Sequence, residues 1–145
     1  MKNRSKTGNA FQDWIQKWIL ENYRGSAVHN QKSVAKVIKL RDPKTGQLVD
    51  RWVSQRNDIL GCIDLIWVDA MGFVTFIQAT ADTGISRKVK ELAQVHWNFG
   101  RGYNVELWVK RAAGKADIMR LAGRSDFPSL IKIGSIIRRK LIVDF

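Results

Sequence analysis

Asp64 stands in the apolar run Cys62-Ile63-Asp64-Leu65-Ile66-Trp67, where a charged carboxylate without a partner would cost several kcal/mol. Three things could compensate it: a bound cation, a backbone cap at a strand end, or a Lys or Arg from another segment. Gln78 and Thr80 sit at the end of a second apolar run that starts at Phe73. If Ala70-Met71-Gly72 is a three-residue hairpin loop, its last position wants the positive φ that Gly72 supplies, and Asp69 faces Phe73. Counting back along both strands sets Asp64 opposite Gln78. Residues directly opposite share a face, as do residues two apart, so Asp64, Gln78 and Thr80 converge. A carboxylate and an amide offer the hard oxygens a divalent cation takes, and such a cation beside a phosphate serves phosphodiester hydrolysis.

The charge distribution frames that trio. The chain carries 25 Lys and Arg against 13 Asp and Glu, a formal charge of +12. Twelve of the 25 lie at or before Arg56 and 13 at or after Arg87, so Asn57 to Ser86 has none. Inside the gap are Asp58, Asp64, Asp69 and Asp82. A field of this sign gathers polyanions and is screened by salt, which makes nucleic acid the expected partner. A protein that only binds DNA has little use for carboxylates near the phosphates it attracts, whereas a metal-dependent nuclease needs them. The alternative is a central hairpin with no room for long cations.

The elements that position these residues follow from periodicity. Phe11, Trp14, Ile15, Trp18 and Ile19 recur at helical spacing behind Gly8-Asn9, a candidate cap, and predict a helix from Asn9 to Asn22. Ser33 to Leu40 and Gln47 to Val53 flank the turn Asp42-Pro43-Lys44-Thr45-Gly46 and predict a hairpin carrying Lys36, Lys39, Arg41, Lys44 and Arg51. Ile59 to Val68 and Phe73 to Ala79 read as strands covered on both faces. A second helix is expected from Ser86 to Asn98, with Val89, Leu92, Ala93 and His96 inward and Gly100 or Gly102 ending it. Tyr103 to Val109 is then a strand parallel to the one before the helix, because such crossovers are right-handed. Ala112 to Ala122 reads as a short helix, and Leu130 to Val143 as a last strand or basic extension.

Arg87, Lys88 and Lys90 fall at the start of the second helix, where the dipole disfavours cations. An arriving phosphate would offset that repulsion and use the free amides; a solvated charged turn is the plainer account. Trp14, Trp18 and Trp97 fit core stripes, and Trp52 is the candidate for stacking on a base. His29 and His96 are too few for a histidine metal site.

Composition bounds the rest. With 45 % hydrophobic residues, 145 residues make one domain, residues 1–7 reading as a flexible tail. Cys62 alone excludes an intrachain disulfide and a Cys-rich zinc site. The first residues are charged and no run approaches about 18 apolar residues, so the expectation is a cytoplasmic protein with no membrane partner.

A family likeness emerges at this point. The chain resembles the PD-(D/E)xK restriction-endonuclease-like superfamily, nearest to archaeal-type Holliday junction resolvases and the virus-type replication-repair nuclease module. The likeness runs from Lys6-Thr7-Gly8-Asn9-Ala10-Phe11-Gln12-Asp13 through Gly61-Cys62-Ile63-Asp64-Leu65-Ile66 and Phe76-Ile77-Gln78-Ala79-Thr80 to Asn104-Val105-Glu106-Leu107-Trp108. It implies an α/β fold, a restriction-endonuclease-like mixed sheet flanked by helices in the core order α-β-β-β-α-β. It implies Mg²⁺ or Mn²⁺ held by Asp64, by Gln78 at the second acidic position and by the Ala79 carbonyl. Thr80 falls where the family keeps its lysine, and Gln12, with Asp13 beside it, where the first helix carries a glutamate. Lys88 or Arg87 would then supply the missing cation.

The function implied is a structure-selective endonuclease acting on branched DNA as a homodimer, since two cuts need two sites. Lys6, Lys36, Lys39, Arg41, Lys44, Arg51, Arg56, Arg87, Lys88 and Lys90 would hold the DNA. The rival expectation is a DNA- or RNA-binding protein on the same fold whose site no longer cuts.

Overall fold

The computed structural model describes residues 4–31, 34–55, 62–98, 102–124 and 127–143, with side chains at 10–31, 39–50, 62–98, 102–122 and 129–143. Its elements are α1 (Arg4–Asn22), β1 (Ala27–Asn30), β2 (Val34–Arg41), β3 (Leu48–Gln55), β4 (Leu65–Val68), β5 (Val74–Ala81), a 3-10 turn (Asp82–Gly84), α2 (Ile85–Ala93), β6 (Tyr103–Ala112), β7 (Lys115–Arg124), β8 (Phe127–Ile137) and β9 (Lys140–Val143). Seven strands form one curled mixed sheet in the order β1-β4-β5-β6-β7-β8-β9, and β2-β3 form a separate hairpin. Only β5 and β6 are parallel among these pairings, joined through α2 as a crossover requires.

Each face of the sheet carries its own core. Phe11, Ile15, Trp18 and Ile19 of α1 pack with Leu65, Ile77, Trp108, Ile118 and Ile136. Leu92 of α2 and Trp97 pack with Ile63, Val105, Leu107, Val109 and Leu121 on the opposite face. Alternate residues of β5 and β6 thus enter different cores, which is why both strands read as nearly continuous apolar runs. No helix among the described residues is long and apolar enough to cross a membrane.

Turn chemistry set two registers as expected. In the β4–β5 loop Gly72 takes φ +82°, the Asp69 N–H donates to the Phe73 carbonyl, and Asp69 Oδ1 accepts the N–H groups of Met71 and Phe73 at 2.9 Å each. In the β2–β3 turn Asp42 Oδ1 accepts the Lys44 N–H at 2.9 Å.

Five expectations are corrected. α1 begins at Arg4, so Gly8-Asn9 lie inside the helix instead of capping it. Of Ile59 to Val68 only Leu65–Val68 forms β4, residues 59–61 lying outside the description. α2 stops at Ala93 and His96 is exposed, while Trp97 stays buried by donating its indole N–H to the Leu92 carbonyl at 2.8 Å. Ala112 to Ala122 is no helix: after a turn at Ala113-Gly114 it enters β7, between β6 and β8. Leu130 to Val143 holds most of β8 and all of β9, joined by a two-residue turn at Arg138-Arg139.

Arg138 and Arg139 sit at φ +50° and +67°, the only non-glycine residues with positive φ among those described. Such a turn suits Asn-Gly, and each L side chain there costs roughly 1 kcal/mol or more.

Asp117 on β7 is buried and held by Arg111 Nε at 2.7 Å, the Ser135 hydroxyl at 2.8 Å and Lys132 Nζ at 3.8 Å. Burial pushes its pKa up, but the Arg111 and Ser135 hydrogen bonds and the two cations outweigh that, and the carboxyl titrates below its ordinary 3.8. A depressed carboxylate stabilises the fold above its unfolded pKa, and the gain is lost as pH falls through the folded value. Asp117→Asn should therefore cost about 1–2 kcal/mol at neutral pH, allowing for screening at half-exposed Lys132. In thermal melts its deficit against the parent should hold down to about pH 5 and shrink below the ordinary carboxylate value.

Candidate active site

Asp64 lies just before β4, at an irregularity in its pairing with β5. Its N–H donates to the Ile77 carbonyl at 3.0 Å, while Leu65 is the register partner of Ile77, so two residues face one as in a β-bulge. The displaced carboxylate takes the place of a ladder carbonyl: Asp64 Oδ2 accepts the Ala79 N–H at 2.9 Å. Asp64 is therefore capped by backbone although buried, and what it meets of Ala79 is the N–H, not the carbonyl assigned to a metal shell.

Gln78 follows the register read from the chain, next beyond the Leu65–Ile77 pair, and points to the α2 face with Phe76. It is wholly buried. Its Nε2 donates to Glu91 Oε2 at 3.1 Å, and its Oε1 is buried with no hydrogen-bond partner among the described residues. Lys88 Nζ is 3.6 Å from the same Glu91 oxygen. Lys88 is buried and Arg87 exposed, so of the two cations left open by the sequence it is Lys88 that reaches the cluster. Lys90 is exposed as well.

Glu91 is the residue that sequence reasoning missed. Its signal was the spacing Lys88-x-x-Glu91, which puts both on one helix face, beside a buried strand amide that needed a partner.

Thr80 is buried on the same face, but its hydroxyl donates to the Ala81 carbonyl at 3.0 Å. A Cβ placed on Gly84 would lie 2.5 Å from Thr80 Oγ1, so the 3-10 turn closes directly over it. Thr80 shares the face of Gln78 without a described contact to the cluster.

The first helix contributes from the other face. Gln12 is buried, with Oε1 lacking a partner among the described residues, and Asp13 is exposed. Asn30 of β1, register partner of Leu65, donates through Nδ2 to Asp13 Oδ1 and to Gln16 Oε1 at 3.0 Å each. The next residue, Gln31, donates its N–H to the Asp64 carbonyl at 2.8 Å. Backbone thus links Asp64 to neighbours of both polar groups: to Gln31, which follows Asn30, and to Ala79, which follows Gln78.

Among the described residues no three His, Cys, Asp or Glu side chains gather tightly enough for a metal ion. The candidate oxygen donors are mixed: the Asp64 and Glu91 carboxylates, and the amide oxygen of Gln78, which has no hydrogen-bond partner among the described residues. That set fits a hard divalent cation in donor type, at lower charge than a three-carboxylate site.

Of the cations assigned to DNA, Lys39, Arg41 and Lys44 are exposed on the β2–β3 hairpin, and Lys39 faces Asp50 across the pair. The side chains of Lys6, Lys36, Arg51 and Trp52 lie outside the described ones, and Arg56 lies outside the described residues. Comparison with protein-family models, with curated proteins and with solved structures finds no match to this chain, so its function is argued from these positions.

Proposed function

We propose that this chain is a divalent-metal-dependent, structure-selective DNA endonuclease of the restriction-endonuclease-like kind, in the manner of a Holliday junction resolvase. The observation that carries the reading is the buried oxygen of Gln78, without a partner among the described residues, on an amide that is one hydrogen bond from Glu91 and adjoins Ala79, whose N–H donates to Asp64. A buried amide oxygen left unmatched costs about 1–3 kcal/mol unless something binds it. The order α1-β1-β4-β5-α2-β6 within the large sheet supports the reading, since it is compatible with an α-β-β-β-α-β core followed by three further strands.

Asp64, Gln78 and Glu91 would hold the cation, which when bound supplies charge to polarise the scissile phosphate and makes a water easier to deprotonate. The chain's own share is positional. Backbone capping fixes the Asp64 carboxylate, α2 fixes Glu91 through Gln78, and Lys88 brings the cation that Thr80 cannot. The reaction adds water across a P–O bond, leaving a phosphate monoester on one fragment and a hydroxyl on the other. The β2–β3 hairpin, with Lys39, Arg41 and Lys44 exposed, grips the backbone.

One observation favours a second reading, a nucleic-acid-binding protein that does not cut: the Thr80 hydroxyl is turned away into its own backbone. The deciding experiment is incubation of labelled four-way junction, flap and linear duplex DNA with Mg²⁺ or Mn²⁺ and with chelator. Cutting of branched DNA only when metal is present is the expected result. Tight binding that never leads to cutting in either metal would replace the nuclease with the second reading.

A further inference from the structure

At the end of the sheet where β5 and β6 finish, on the α1 face, is a cleft of about 220 Å³ lined by Phe11, Trp14, Lys110, Ala113, Gly114 and Lys115. Its wall is an aromatic pair, Phe11 and Trp14, stacked at 5.9 Å with 27° between the rings. Trp14 is only partly buried, so its side chain keeps some exposure at the cleft. The cleft is smaller than the several hundred Å³ of a typical cofactor site, and suits a single flat ring system.

The surroundings of the cleft are basic. Elsewhere on β6 to β8, Arg111 and Lys132 share Asp117, and Arg120 pairs with Glu106. Lys110 and Lys115 line the cleft with no acidic partner among the described residues, and the segment Lys110 to Lys115 contains no acid. The strained turn adds two more. The Arg138 N–H donates to the Gly114 carbonyl at 3.3 Å, placing the turn beside the cleft's lining, and the Arg139 carbonyl accepts the Trp18 indole N–H at 3.1 Å. Both guanidinium groups are exposed and unpaired among the described residues. Two arginines at positive φ, where Asn-Gly would relax the backbone, are the kind of local strain that persists at working sites.

We infer that this cleft takes one unpaired nucleotide of a single strand, its base against Trp14 and its flanking phosphates on Lys110, Lys115, Arg138 and Arg139. The inference rests on the nucleic-acid reading above and deepens it: a branched substrate has an unpaired or splayed nucleotide to offer, and a linear duplex does not. Base stacking supplies the pocket's share and counterion release the cations' share.

The test is fluorescence anisotropy in chelator with labelled single-stranded oligothymidylate, oligouridylate and linear duplex. The parent is compared with Trp14→Ala, Ala113→Glu and the double variant Arg138→Asn with Arg139→Gly. Expected are about ten-fold weaker single-strand binding in each variant and duplex binding within about two-fold. The double variant should also melt at a higher temperature than the parent, so its loss of affinity cannot come from unfolding. A parent preference for the uridylate strand, with the same losses, keeps the pocket and assigns it to RNA. If the parent binds single strands and all three variants match it, the pocket is overturned while the nucleic-acid reading stands. If the parent binds none of the three probes, the pocket falls, and the incubation with four-way junction and flap DNA decides the nuclease reading separately.

Discussion

Asp64→Asn is expected to reduce metal-dependent cleavage by about 10³-fold while leaving the protein folded and its DNA binding in chelator unchanged. The size follows from removing one full charge where the cation and the developing phosphate charge are both stabilised. The choice of Asn over Ala follows from the second task of this side chain. Asp64 Oδ2 accepts the Ala79 N–H, and an Ala at 64 would leave that buried donor without an acceptor. Asn keeps a carbonyl oxygen in the same place, so melting temperature should move by only a few degrees. Cleavage by the parent with full loss in Asp64→Asn, at equal binding, establishes the carboxylate's charge as the active feature. Equal cleavage by both proteins would reduce Asp64 to a backbone cap, the bland alternative for a lone strand aspartate.

Which parts of this arrangement the chain announced depends on how local their causes are. The β2–β3 hairpin and the β4–β5 loop were legible because Asp42, Gly46, Asp69 and Gly72 each meet a specific backbone demand within five residues. From the second loop, counting gave the pairing of Leu65 to Val68 with Val74 to Ile77, but the bulge moves Asp64 off the position opposite Gln78 and onto the Ala79 N–H. The irregularity at Asp64 was not legible, because an extra residue on one strand leaves no mark on apolar alternation.

The strand β7 was misread because Ala112 to Ala122 is rich in helix formers, and pairing with β6 and β8 on both sides overrode that preference. The split between β8 and β9 was hidden for a different reason: Arg138-Arg139 are not turn residues, and only tertiary context holds them at positive φ. The strand β1, four residues long and half exposed, has too little pattern to find. Its importance is structural, since Asn30 and Gln31 carry the contacts that bring α1 beside Asp64.

Those misses share a theme with the one residue absent from the site as read from the chain. Glu91 belongs to α2, thirteen residues beyond Gln78, and only the crossover between β5 and β6 brings them together. Short spacing located Asp64, Gln78 and Lys88; the contact that joins Gln78 to Lys88 depends on the fold.

Gln78→Glu should distinguish a cation site from a merely structural amide, because it makes the stability of the fold depend strongly on bound metal. The parent amide donates to Glu91 Oε2 at 3.1 Å. A carboxylate there has no donor to give, and sets two like charges against each other in a fully buried position. In chelator the variant should lose about 3 kcal/mol, or roughly 10 °C in melting temperature. Lys88, 3.6 Å from Glu91, offsets only part of this because it already serves the first carboxylate. With Mg²⁺ or Mn²⁺ the three carboxylates at 64, 78 and 91 become a stronger site, and saturating metal should return most of the lost stability, about 2.7 kcal/mol at a hundred times its dissociation constant. The metal needed for half-maximal cleavage should fall by about ten-fold in the same variant. A variant equally unstable with and without metal would show that no cation binds beside Gln78, and that its amide serves only to tie β5 to α2.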